Sequence, residues 1–119
     1  MRQVYAHQAT LSLAPGGDPG APGAAITAAL CGHGEHEPPC PLAPHHTAAT
    51  PAGGDRLRLR VLFAVGPDRA DEVRGRIDAA LAAGDWRLIE SGCARLDPAE
   101  RPHGRRLLRK TPDGGPEGP

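Results

Sequence analysis

In DRLRLRVLFAV, residues 55–65, apolar side chains fall on alternate positions. Leu57, Leu59, Val61, Phe63 and Val65 face one way in a strand, and Arg56, Arg58 and Arg60 face the other. Such a strand packs one face and leaves the other at least partly wet. QVYAHQATLSL (3–13) repeats the period, with Tyr5, His7, Ala9, Leu11 and Leu13 on one side. WRLIESGCARL (86–96) reads as a third strand with Gly92 marking a bulge. HHTAAT (45–50) reads as a short edge strand.

The period changes to a helical one twice. Pro22 suits a first helical turn, AAITAAL follows with Ile26 and Leu30 one turn apart, and Gly32 closes it. After Gly66-Pro67, Asp68 is placed to cap a helix with Asp71 and Glu72 in its first turn. Its buried stripe is Val73, Ile77, Ala80 and Leu81, with Glu72–Arg76 and Arg74–Asp78 as i,i+4 pairs on the wet side and Gly84 as the stop.

The resulting order, β-α-β-β-α-β, is that of a ferredoxin-like split βαβ sandwich of the α+β class. Its expected extent is 1–96, with a Cys/His-rich insertion at 31–46 and a disordered Pro/Gly/Arg-rich tail at 97–119. Composition agrees with a small folded part. The chain has 119 residues, 16 of them Gly and 14 Pro, clustered at 14–23, 38–54 and 97–119. Tyr5, Phe63 and Trp86 are the whole aromatic set, so Leu, Val, Ile and Ala must build the core. A domain this small is marginally stable, and a bound metal would be a useful staple.

Fourteen basic residues balance fourteen acidic ones, which implies no global polyelectrolyte partner. RPHGRRLLRK (101–110) carries five cations and no acid, and reads as a solvated tail. No stretch has the length and apolarity of a signal peptide or a membrane span, so the expected compartment is the cytoplasm. Closely spaced cysteines there serve as metal ligands more readily than as disulfides. Cys93, apart from the others, reads as a buried inert thiol.

CGHGEHEPPCPLAPHH (31–46) holds the candidate chemistry: Cys31, His33, His36, Cys40, His45 and His46. Zinc takes four N/S ligands in a tetrahedron, and short chelating loops lower the entropy of assembling it. Pro38, Pro39, Pro41 and Pro44 stiffen the loop. His45 and His46 are adjacent in an extended segment and point to opposite sides, so only one of them is expected as a first ligand. Glu35 and Glu37 are placed to orient an imidazole from behind.

ALCGHGEHEPPCPLAPHHT resembles a segment of small actinobacterial proteins with the pattern ALCGHxEHxGPCxWPHHT between two strands. The resemblance covers the first sixty residues best, and it implies a shared Cys/His motif without a function to carry over. The tryptophan of that pattern has no counterpart here, whereas the donors do.

The expected function is therefore non-enzymatic binding of zinc, structural in purpose, although Cu(I), Ni(II) and Fe share these ligand preferences. The alternative is a metal-free interaction module whose open sheet face, with Arg58 and Arg60, docks a partner protein or pairs with a second copy. Nucleic acid is disfavoured there, because no exposed aromatics interleave with the arginines. Catalysis would need an open coordination position with Glu35 or Glu37 as acid or base.

Overall fold

The two segments with the clearest alternation take the centre of the sheet. The computed structural model describes residues 2–31 and 43–109, with the backbone alone at Cys31. Within them the strands are β1 (Gln3–Leu13), β2 (His45–Pro51), β3 (Arg56–Val65) and β4 (Trp86–Ala94). The helices are α1 (Ala21–Cys31), α2 (Ala70–Ala82) and α3 (Arg101–Leu108). All neighbours pair antiparallel, in the order β2-β3-β1-β4. The molecule is an α+β fold on one four-stranded antiparallel sheet.

α1 and α2 cover the face to which Leu57, Leu59, Val61, Phe63 and Val65 point, with Ile26, Leu30, Val73, Ile77 and Leu81 buried against them. The expected register is the observed one there. Gly53 and Gly54 carry the β2–β3 hairpin at φ of 101° and 57°, where a Cβ is strained. Pro51 is tolerated because β2 is an edge strand. α2 ends against Trp86: the indole Nε1–H donates to the Leu81 carbonyl at 2.6 Å. The ring lies so close to Gly84 that a Cβ there would meet it at 2.0 Å, so position 84 must be glycine.

The second face departs from expectation. Residues 97–109, expected to be disordered, form a 3-10 turn at Pro98–Glu100 and then α3, which packs on that face; 110–119 lie outside the described residues. Leu107 closes a small second core with Ala6, Leu62 and Ala64, flanked by Ala94 and Leu96. The folded unit therefore extends past 96. Two physical reasons lie in the chain. From residue 61 the alternation of β3 gives way to VLFAV, apolar on both sides, which needs a cover on each face. DPAE (97–100) has capping-box spacing with Pro98 just inside, and the Glu100 carboxylate accepts the Asp97 backbone N–H at 2.9 Å.

Two smaller corrections concern α2 and β4. Arg74 and Asp78 do not pair with each other across solvent; both turn toward the sheet and the buried His7. The bulge in β4 lies at Ile89 and not at Gly92, since Thr10 pairs with Glu90 while Leu11 pairs with Leu88. The extra residue lets Trp86 and Leu88 face the helices on one side of it and Ser91 and Cys93 on the other.

Candidate functional site

The Cys/His segment leaves the fold at the end of α1 and rejoins it at the start of β2. His33, His36 and Cys40 lie outside the described residues, as do Glu35 and Glu37. Of Cys31 only the backbone is described, as the last residue of α1. Among the described residues no group of three or more His, Cys, Asp or Glu side chains is arranged to hold a metal ion.

The return end of the segment is firmly built. Ala43 and Pro44 are buried, and the Pro44 carbonyl accepts the Ala64 N–H at 3.1 Å, next to the β2–β3 ladder. His45 opens β2 on the α1 side. Its Nδ1 lies 3.2 Å from the Ala43 carbonyl, which can only accept, so Nδ1 carries the proton. Nε2 is then an acceptor, and it faces the Thr27 hydroxyl of α1 at 3.2 Å. Position 31 is one helical turn beyond position 27. Thr47, two residues on along the same face, has its buried hydroxyl oxygen without a hydrogen-bond partner among the described residues. His45, Thr47 and Thr27 share a groove of about 370 Å³ with Gly20 and Gly23.

His46 points the other way, as strand geometry requires. Its ring stacks on His103 of α3, centroids 4.3 Å apart and planes 16° from parallel. Burial, then the neighbouring His103 and Arg106, hold its pKa below the ordinary histidine value, with Glu100 opposing. Of the two candidates, His46 thus belongs to the packing of α3, and His45 alone stands on the α1 side. His103, placed beforehand in a solvated tail, is the residue that sequence reasoning missed here.

Arg60 is likewise taken up by α3's approach. Its guanidinium donates from Nε and Nη2 to the two Glu100 oxygens at 2.8 Å each, from Nη1 to Gln8 at 2.9 Å, and from Nη2 to the Arg95 carbonyl at 2.6 Å. The bond to Arg60 holds the Glu100 carboxyl below its ordinary pKa. Arg60 is therefore no part of an open face. The uncovered remainder is two cross-strand rows, Arg56–Ser12–Arg87 and Thr50–Arg58–Thr10–Glu90, with all three arginines exposed.

A polar cluster lies beneath α2. His7, 1% exposed, accepts at Nδ1 from Arg74 at 3.0 Å, because a guanidinium can only donate. Its Nε2–H is shared between Asp78 Oδ1 at 3.1 Å and Ser91 Oγ at 2.7 Å, and the Ser91 hydroxyl donates to Asp78. The bulge at Ile89 is what brings Ser91 to this side. Serine, histidine and aspartate meet here, but serine and aspartate share one ring nitrogen and arginine occupies the other. A serine nucleophile with a histidine base needs them on opposite nitrogens. Burial, outweighing the opposing Asp78, lowers the His7 pKa, with Arg74 adding to the effect. His7 is a satisfied neutral histidine that fastens α2 to β1 and β4. Cys93, directly across from it on the edge strand, is exposed and not buried as expected.

A groove of about 610 Å³ runs between α1 and α2, walled by Ala25, Ala28, Ala29, Ala79, Ala80 and Ala83. Its lining differs in chemistry from the Cys/His segment, with Arg76 its one charged side chain among the described residues. No protein-family model, curated protein or solved structure matches this chain. Among the described residues no helix is long and apolar enough to cross a membrane.

Proposed function

We propose that the chain is a small metal-binding module in which residues 31–46 hold one divalent ion, zinc by preference, with a structural role. The framework is read as ferredoxin-like: the strand order β2-β3-β1-β4 and two crossover helices on one face support it, with α3 added to the other face. Cys31, Cys40, His36 and His45 are the preferred ligands, and His33 is the reserve. The observation that carries this reading is the setting of His45. Its Nδ1–H is fixed on the Ala43 carbonyl, the second contact that commonly orients a ligating imidazole, and its Nε2 faces α1 one turn before Cys31. The fold thus brings both ends of the donor segment to one side of the sheet. Thiolate and imidazole donors fit zinc, and the Thr47 hydroxyl, two residues from His45 and without a hydrogen-bond partner among the described residues, offers a further polar group to satisfy.

Metal analysis of untagged protein, loaded with zinc and desalted, tests this. The expected content is one equivalent, abolished by Cys40→Ser, strongly reduced by His45→Ala and retained in His46→Ala and Cys93→Ser. Binding releases protons and weakens as pH falls through the histidine range. Well under one equivalent in the unaltered protein overturns the proposal.

A second reading rests on a separate observation, the exposed Arg56, Arg58 and Arg87 beside one carboxylate, Glu90. That half of the sheet face suits a partner protein or a second copy. Sedimentation at low and high salt checks it: concentration-dependent association supports the reading, and a monomer throughout removes the second copy.

A further inference from the structure

The face of α3 that turns away from His46 borders a groove of about 370 Å³, of the size that small ligands use. Its floor is apolar, built by Val4, Leu96 and the partly exposed Leu108, and α3 lies close because Gly104 has no side chain: a Cβ there would meet Val4 at 3.2 Å. Around the floor stand three guanidiniums, Arg2, Arg101 and Arg105, and among the described residues no carboxylate lines the groove. Glu100, the acid at the start of α3, is bound by Arg60. Arg2 is anchored through Nη2, which donates to the Leu108 carbonyl at 2.6 Å, while its Nη1 is buried without an acceptor among the described residues. Buried donors in folded proteins are paired, and a charged one most of all. The groove therefore combines mutually repelling like charges, a donor that lacks a partner, and an apolar surface beside them.

We propose that this groove binds a small amphipathic carboxylate, with Arg2, Arg101 and Arg105 holding the anionic head and Val4, Leu96 and Leu108 taking the apolar body. A carboxylate supplies the acceptor that Arg2 Nη1 lacks among the described residues, once that side chain turns Nη1 toward the groove. It also matches the guanidinium fork, and its negative charge relieves the repulsion among the cations. An apolar floor without aromatic platforms argues against a nucleic-acid strand, whose bases need stacking partners. This site lies on the second face of the sheet, so it stands or falls separately from the metal reading.

The test is an NMR titration of the full chain with octanoate, with octanamide as the uncharged counterpart of equal length and with inorganic phosphate as the head alone. Saturable shifts at Val4, Leu96 and Gly104 are expected with octanoate, with at least tenfold weaker binding of octanamide and of phosphate. Arg105→Gln and Arg101→Gln, both at exposed positions, should each weaken octanoate several-fold, and Arg2→Gln at least tenfold. Should Arg2→Gln loosen α3, the two exposed variants carry the test. Arg58→Gln, outside the groove, should leave binding unchanged. Equal binding of octanoate and octanamide marks a plain apolar patch and overturns the proposal. So do equal losses with Arg58→Gln, shifts at these amides that follow protein concentration alone, or no saturation in millimolar octanoate.

Discussion

On the α1/α2 face, β1 and β3 send in side chains from nearly their full length, and long helices with regular buried stripes cover them. On the α3 face the same strands offer apolar side chains at one end alone, Ala6, Leu62 and Ala64, under one eight-residue helix. Beyond it the face passes through the Arg60–Glu100 bonds to the bare rows of Arg56, Arg58 and Arg87. The first face is a core that defines the fold. The second is a local cover, matched residue by residue to the strand end beneath it. Stability should follow that division, because burial scales with the apolar area withdrawn from water.

The largest effect should come from Leu59→Asp, which puts a charge into the fully buried face and should abolish the cooperative melt. Leu107→Ala removes the one large α3 side chain in the smaller core and should cost about 2–4 kcal/mol, leaving a cooperative transition at lower temperature. Thermal melts followed by circular dichroism read both. An unchanged melt in Leu107→Ala would show that α3 is no part of the folded unit, and the two faces would then differ more than the structure says.

The same division explains what could be read in the chain beforehand. The α1/α2 face was legible because RLRLR and its neighbours alternate over many residues, and the buried stripe of α2 repeats at helical spacing. Bounds of β1, α1, β2 and β3 follow from those periods to within a residue or so. α3 was hidden by composition: its Arg, Pro and Gly content outweighs two leucines, and its stability comes from tertiary packing and not from propensity. The signals that could have exposed it are the apolar run VLFAV and the D-x-x-E spacing at 97–100. The bulge at Ile89 had no such signal, since Ile is an ordinary strand residue. His45 and His46 were correctly expected to diverge, but which one is taken into the packing of α3 depended on His103, fifty-seven positions later in the chain. No period connects residues that far apart. His33, His36 and Cys40 stay an expectation, since they lie outside the described residues.

A sharper contrast lies within one strand. Arg58 and Arg60 occupy equivalent positions of the alternation, yet Arg60 is 21% exposed and makes four bonds, while Arg58 is exposed. Arg60→Ala leaves the Glu100 carboxylate half-buried without its partner and should cost about 1–2 kcal/mol. Arg58→Ala should stay within about 0.5 kcal/mol. Urea midpoints of the two variants make the comparison. Equal effects would mean that the boundary of the covered region does not fall between these two residues.

The last effect is one of pH, and both faces contribute to it with the same sign. The folded His7 has its pKa lowered by burial, while in the unfolded chain it titrates near its usual value of about 6.5. Between those values the unfolded chain binds the proton and the folded one does not. Stability is therefore fully present above about pH 6.5 and lost as pH falls through the window below it, by at most about 1.4 kcal/mol per pH unit for one proton. His46 on the α3 face is shifted the same way and adds to the slope. Removing it in His46→Gln should leave the part that belongs to His7. The loss from Glu100 begins lower, in the carboxylate range, because its pKa is lowered by Arg60. Urea titrations from about pH 7.5 down to 5.5, with a chelator present so that the loop donors bind nothing, read these slopes. In His46→Gln the midpoint should still fall with pH, and the His7 ring resonances should report a pKa below the ordinary histidine value. A midpoint that rises instead would mean that His7 is charged in the fold and bound to Asp78 as an ion pair, with Arg74 driven from its Nδ1.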